Sequence, residues 1–471
     1  MTTFLPKYFT SKAIALYVLL LIICSLVFFG KGLPLHWIAF GLGEVVGFFY
    51  FSSLLTKKWS TLSPAIFTKK LFLTALLVRI VYVVFSFFFY TWMTGEPFEF
   101  EAADSKGYHG EAIWLLTLFK NDLLPVYLAY IKGSYSEMGY VAYLTSIYSV
   151  FGVNIFVARL FKAALSAFTC VLVYKLARRN FGETTGKIAG ILALLAPNLI
   201  YYCGLHVKET EMVFLTVFFL ERADLLIREN KFNTWVLLAT LGLGLSLFFF
   251  RTVLGATAML SLVLGFMLYS SQRMKVSILR KVAFGITMLG IGLFLAGGKI
   301  EAEIDRYWGD RDTNQEKSMK SRAQRPSGNT LAIYGTAAVF APIIIVAPFP
   351  TLVNIGTQQN QMLLNGGYYT RNVYVFFLFI GLLGLWKRKQ IRQHLLLIVF
   401  LISYLGVLAL SKFALSERFH MPVLPVIIIL AAFGITQLDR KNTKYYIPYL
   451  AGVGIIIIGW NLFKIAGRGG L

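Results

Sequence analysis

The sequence predicts an all-α polytopic membrane protein, and three observations predict it. Hydrophobic residues make up 57% of the 471 positions, and charged residues only 14%. The apolar runs are about 17 to 23 residues long, which as helices cross a hydrocarbon core of roughly 30 Å while satisfying their own backbone groups. Alternating stretches of about ten residues, the mark of barrel strands, do not occur. The formal net charge of +23 falls mostly on Lys and Arg in short connections, where it marks the cytoplasmic side; it argues for topology and against a nucleic-acid partner. Cys24, Cys170 and Cys203 lie in or beside apolar runs without ligand-like spacing, and they argue for neither a disulfide framework nor a metal centre.

The first run, 13–30, follows Lys7 and Lys12, lacks a small-residue cleavage site, and is read as a retained span. Residues 1–70 thus hold two spans and a basic loop, and Lys57, Lys58, Lys69 and Lys70 put that loop inside. The third span, 71–93, then runs outward, and FEFEAADSKGYHGEA at 98–112 emerges outside with Glu99, Glu101, Asp104 and Glu111. Lys175, Arg178, Arg179 and Lys187 mark the next inner loop. Only one crossing fits between these anchors, so 157–177 spans, whereas 139–153 is short and dotted with Tyr, Ser and Thr and is laid on the outer surface as an interfacial helix. The external segment 94–154 carries a second surface helix in SKGYHGEAIWLLTLF, with Ile113, Leu116 and Phe119 or Leu115 expected to face the membrane.

Spans at 188–203, 207–226, 234–250, 252–269 and 282–298 complete a membrane core over 71–298. The stretch 299–371 is read as a second external region. Its part 331–350 carries Pro342, Pro348 and Pro350 and is expected to be re-entrant or to lie on the surface. Spans at 372–386, 395–410, 421–438 and 446–463 fill 372–471, for about thirteen in all, with the N-terminus inside and the C-terminus outside. Within the bilayer, Glu44 and Arg79 stand at similar depth and are expected to pair.

Short motifs recur along this layout: LLVRIVY in the third span, ADSKGYH with Asp-x-x-x-Tyr-His beyond it, FG-x-N at the end of the interfacial helix, APNLIYYCGLHVKET, and a late RFHMPVLP. Over roughly 71–438 they resemble the GT-C glycosyltransferases, membrane enzymes that take a sugar from a polyprenyl-phosphate carrier. The lipid A aminoarabinose transferases and the protein O-mannosyltransferases are the branches the chain looks most like. It departs from them in two extra N-terminal spans and is read as lacking a large C-terminal soluble domain, which leaves the acceptor open. The resemblance implies a GT-C-like bundle with external juxtamembrane helices, placed in a bacterial inner membrane with its site on the periplasmic face. It also implies a polyprenyl-phosphate-linked sugar as donor and a lipid, glycan or protein as acceptor.

Such a transfer needs a carboxylate to take the acceptor's proton, and Asp104, just beyond a span and within reach of a lipid headgroup, suits that role. Glu99 and Glu101 are candidates to orient the acceptor or, with Asp104, to hold a divalent cation (Mg or Mn). The departing phosphate needs cations, Arg above all because its fork meets phosphate oxygens in pairs. Lys208, Arg251, Lys412 and Arg418 map to outer span ends. Arg418 leads them, because in SERFHMP it stands where the resemblance implies a lipid-phosphate ligand. Lys208 with Glu209 is a second candidate, and Tyr108, His109 and His420 are candidates to bond sugar or phosphate. The competing classes are an O-antigen-type polymerase or ligase and a lipid or solute transporter. A transporter should gather its ionisable residues near mid-membrane, whereas here most sit at span ends.

The topology predicts that Ser136→Cys, Asn314→Cys and Gln359→Cys, each in a background without the three native cysteines, react with an impermeant thiol reagent added from outside. Protection at position 314 with labelling at Gln390→Cys would invert the late spans.

Overall fold

The computed structural model describes residues 2–131, 135–228, 233–269, 290, 343–410 and 415–466. Among them the regular structure is helical: α1 Lys7–Val27, α2 Leu35–Lys58, α3 Pro64–Thr94, α4 Ala103–Lys120, α5 Leu124–Ile131, α6 Met138–Phe151, α7 Ile155–Phe181, α8 Glu183–Leu195, α9 Pro197–Cys203, α10 Glu209–Arg228, α11 Thr234–Phe250, α12 Thr252–Tyr269, α13 Asn365–Lys387, α14 Leu395–Leu410, α15 Leu424–Thr436 and α16 Tyr446–Ala466, with a few shorter turns between. Eight described helices are long and apolar enough to cross a membrane, or nine if the bent pair α8 and α9 counts as one span. Each span expected on described residues falls on helix, 188–203 on the bent pair, but α10, α11 and α12 are not among the eight; 282–298 lies outside the described residues apart from position 290, as do most of 299–350.

The core is built from α7 packed on α3, α8 and α10, and from α13 packed on α15 and α2. The close approach of α13 and α15 needs two glycines: a Cβ on Gly434 would stand 1.7 Å from the Phe377 carbonyl oxygen, and one on Gly381 2.5 Å from that of Leu430. The end of α10 away from Glu209 is fixed by ion pairs, with Asp224 meeting Arg179 at 3.3 Å and Arg228 at 2.7 Å, and with Glu221 also bound to Arg179.

Helix α6, at 14 residues, spans about 21 Å, short of the hydrocarbon thickness. It packs on α4, and this changes one expectation. Leu115 and Leu116 are buried, with Ala112 and Leu118, against neighbouring protein, and Phe119 alone of the four expected membrane-facing positions is largely exposed. The apolar side of α4 is spent on α6 because two short amphipathic helices can bury their stripes on each other.

The described part of 331–350, residues 343–350, is irregular and mostly buried, and its carbonyls are met from within the protein. Asn372 donates to Val346 and Pro348, and Asn461 to Pro350. Non-helical backbone is tolerated at depth only on such terms.

Glu44 and Arg79 do not pair. Arg79 uses all five of its N–H groups elsewhere: Nε on Ser166 Oγ at 2.6 Å, Nη1 on the carbonyls of Ala75 and Leu194, and Nη2 on Cys170 Sγ and the Ala193 carbonyl, each at 3.2 or 3.3 Å. The reason lies in α8. The Ala193 carbonyl should accept from residue 197, which is proline and has no N–H. The chain bends by 49° there, and Arg79 supplies the missing donors. Glu44 serves a helix start instead, accepting from the Gly367 amide in the first turn of α13 at 2.9 Å.

Arg79→Met should therefore strand two carbonyls at about 1–3 kcal/mol each and lower the melting temperature of the purified protein in detergent, with Arg79→Lys intermediate. An unchanged melting temperature in the methionine variant would mean that the break is held by something else.

Candidate functional site

The site grows from the stretch that follows the break. After α9, residues 204–208 cross without regular structure and deliver Lys208 and then Glu209, the first residue of α10. Three contacts fix this crossing. Ser86 Oγ bonds the Gly204 carbonyl at 3.3 Å, Lys162 Nζ bonds the Val207 carbonyl, and Tyr148 Oη meets His206 Nε2 at 3.1 Å. Lys162 is itself balanced by Glu211, 3.2 Å away.

Glu209 is fully buried, and its Oε1 accepts from Arg418 Nε at 2.8 Å. The other end of the guanidinium, Nη1, donates to Asp104 Oδ2. Asp104 stands in the first turn of α4, an acid-favouring place beside the open amides of a helix start. Residues 314 and 209 positions apart in the chain are thus joined in one run, Asp104–Arg418–Glu209. The carboxylate at its outer end is 55% exposed and the guanidinium 31%.

Two further cations stand close by. Lys208, only 2% exposed, donates to Glu137 Oε1 at 2.8 Å and lies over the ring of Tyr108, 5.7 Å from its centroid. Burial pushes the Tyr108 phenol well up. Arg251 lies over the ring of Phe419, 4.1 Å from its centroid, and its buried Nη1 has no hydrogen-bond partner among the described residues. Lys412 lies outside the described residues.

Four sequence candidates sit apart from this run. His420 is buried behind it, with Nδ1 meeting Arg371 Nη2 at 2.8 Å, while Arg371 Nη1 reaches Glu417 Oε2 at 3.5 Å and Asn198 donates to Glu417 Oε1 at 2.7 Å. His109 meets Tyr148 Oη at 2.8 Å, so Tyr148 bridges His109 and His206. Burial holds both imidazoles below 6.5, His206 the further because Arg159, Lys162 and His109 oppose its charge. Glu99 accepts from Ser105 through Oε1, and its Oε2 has no partner among the described residues. Glu99 and Glu101 line a cavity of about 400 Å³ with Phe98, Phe100, Lys106 and Gln359.

Asp104 bonds Arg418 while Glu99 bonds Ser105, so the carboxylates expected to share a cation are directed to different partners across the start of α4. Among the described residues no group of three or more His, Cys, Asp or Glu side chains could hold a metal ion. Residues that the sequence reasoning missed include Glu137, Glu417, Arg371, Asn198, Tyr148 and His206. An arginine opening an apolar run is a usable signal for Arg371; Glu137, in a polar turn, carries none.

Residues 139–296 match the family model of dolichyl-phosphate-mannose-protein mannosyltransferase. That family is one of the GT-C superfamily, and the match bears out the resemblance drawn from the motifs. It supports a polyprenyl-phosphate-sugar glycosyltransferase of GT-C type. The matched segment contains Lys208, Glu209 and Arg251, and Asp104 and Arg418 lie to either side of it. No curated protein matches the chain.

The buried His206 predicts an acid-side loss of stability. Its folded-state affinity for protons is depressed, so below the ordinary value of about 6.5 the unfolded chain binds more protons and stability falls with pH. Melting temperatures at pH 7.5 and 5.5 should differ less in His206→Asn than in the wild type. An equal difference would place the acid sensitivity elsewhere.

Proposed function

We propose that the protein transfers a sugar from a polyprenyl-phosphate carrier to an acceptor hydroxyl or similar group on the outer face of the membrane, with inversion and with Asp104 as general base. The observation that carries this reading is the contact between Asp104 and Arg418. The two were read from separate motifs as proton acceptor and phosphate ligand, and they meet beside Glu209, Lys208 and Arg251.

The chemistry follows from that arrangement. Asp104 takes the proton as the acceptor oxygen bonds to the anomeric carbon. The bond from that carbon to the phosphate oxygen breaks on the opposite side, and its electron pair leaves with the polyprenyl phosphate. Arg418, Lys208 and Arg251 surround the region where that negative charge grows, and fixed cations in a partly desolvated place stabilise it without rearranging. Buried Glu209 holds the Nε edge of Arg418 and keeps its outer edge turned toward Asp104.

Asp104→Asn keeps the side chain's volume but removes the proton acceptor, and should cut transfer by about 10²- to 10⁴-fold with folding intact. Arg418→Ala should cost on the order of ten- to a hundredfold, and Arg418→Lys less. The measurement is transfer from defined polyprenyl-phosphate sugars by purified proteins at matched folded concentration. Full activity in Asp104→Asn would move the base elsewhere, and equal rates in the Arg418 series would remove that residue from the site.

A further inference from the structure

Two of the three cations that the proposed transfer would use, Lys208 and Arg418, are each met by one carboxylate from the external segment before α7: Glu137 on Lys208 and Asp104 on Arg418. The carboxylates are 66% and 55% exposed, whereas Lys208 is 2% exposed. The cations are also held from within the bundle, Arg418 by buried Glu209 and Lys208 by the face of Tyr108. We propose that Asp104 and Glu137 are counter-ions that the donor's phosphate displaces, so that loading the donor and releasing the base are a single exchange. This rests on the reading of the protein as a polyprenyl-phosphate-dependent transferase.

The physical argument is an asymmetry between the partners. An exposed carboxylate that leaves an ion pair is rehydrated and loses little. A buried ammonium such as Lys208 that loses its anion is left uncompensated in a poorly solvated place, which is costly; Arg418, 31% exposed, keeps Glu209 but loses the anion on its outer edge. Lys208 therefore needs an anion at every stage, and the outer edge of Arg418 favours one, while the carboxylates can leave. A phosphodiester brings one negative charge and several acceptor oxygens to the same atoms, and Arg251 Nη1, buried and unpartnered among the described residues, offers it a further donor. Once displaced, Asp104 no longer shares its oxygen with Arg418 and can accept the acceptor's proton. Glu137 enters as a gating residue on Lys208, outside the reacting atoms.

The test is a pair of double-mutant cycles on binding. Calorimetry on the full-length protein in detergent would measure farnesyl phosphate as the lipid probe and inorganic phosphate as the headgroup alone. Glu137→Gln, on an exposed turn, should tighten farnesyl phosphate by roughly two- to fivefold, and the gain should vanish in a Lys208→Met background. Asp104→Asn should behave likewise and lose its effect beside Arg418→Gln. Inorganic phosphate should give the same sign at much weaker affinity. Unchanged affinity in Glu137→Gln would overturn the exchange, and that variant alone decides the matter if the Lys208→Met protein does not fold. A gain that persists in the Lys208→Met background would also overturn it, since it would be a general field effect. Equal affinities for the two probes would overturn the lipid as ligand. Active transfer with flat cycles refutes the exchange alone; intact cycles with no transfer from any lipid-linked sugar refute the transferase reading.

Discussion

The carbonyl of Ala193 has no amide to meet, because the residue four positions on is Pro197. In the interior of a helical bundle such a group has no water to turn to and costs several kcal/mol if left alone. Arg79 spans the gap from α3, and with its donors in place the chain can leave one helical axis and start another at 49°. Glu44 performs the opposite service for the amide end of α13. Two charges buried in apolar helices, which on their own suggest a mutual ion pair, are each used to finish a helix.

The break decides where the site can be. Its two products, Asn198 at the start of α9 and Glu209 at the start of α10, hold the neighbouring residues Glu417 and Arg418 from the same side. Glu417 is turned inward to Arg371, and Arg418 outward to Asp104. A four-residue helix, Glu417–His420, thus sends adjacent side chains into two environments, one sealed and one open. An arginine fork fixed at its Nε edge has far fewer positions available to its outer nitrogens, so Glu209 restricts where Arg418 can reach.

Much of this was legible in the sequence because lipid imposes a length and a composition on every crossing. The apolar runs located the long helices, though α1, α3 and α13 start six or seven residues before the runs do, and Asp104, Arg418, Lys208, Glu209 and Arg251 stood out as charges at the ends of such runs. What the sequence did not carry was pairing. Arg79 is as deep as Glu44 by residue count, but depth says nothing of azimuth, and the proline that creates Arg79's partners lies on another helix. Glu137 sits in a polar turn where one acid is unremarkable; only its 2.8 Å contact with Lys208 distinguishes it. The face of α4 was misjudged for a related reason: an amphipathic stripe reports that something apolar lies opposite, and cannot say whether that is lipid or α6.

The run Asp104–Arg418–Glu209 draws its members from three widely separated parts of the chain, and the residue in the middle is the last to be made. A ribosome adding roughly 5–20 residues per second exposes Asp104 and the bent α8 and α9 long before it reaches position 418. During that interval Glu209 has no Arg418 to neutralise it, and the crossing at 204–208 is tied by Ser86, Lys162 and Tyr148 and, through Lys208, by Glu137. The ion network therefore closes late in synthesis, when α13 to α15 have been threaded in beside helices already inserted. A nascent chain held in the insertion machinery has the carboxylate but lacks the guanidinium, so its charge network is completed only once the C-terminal bundle has arrived.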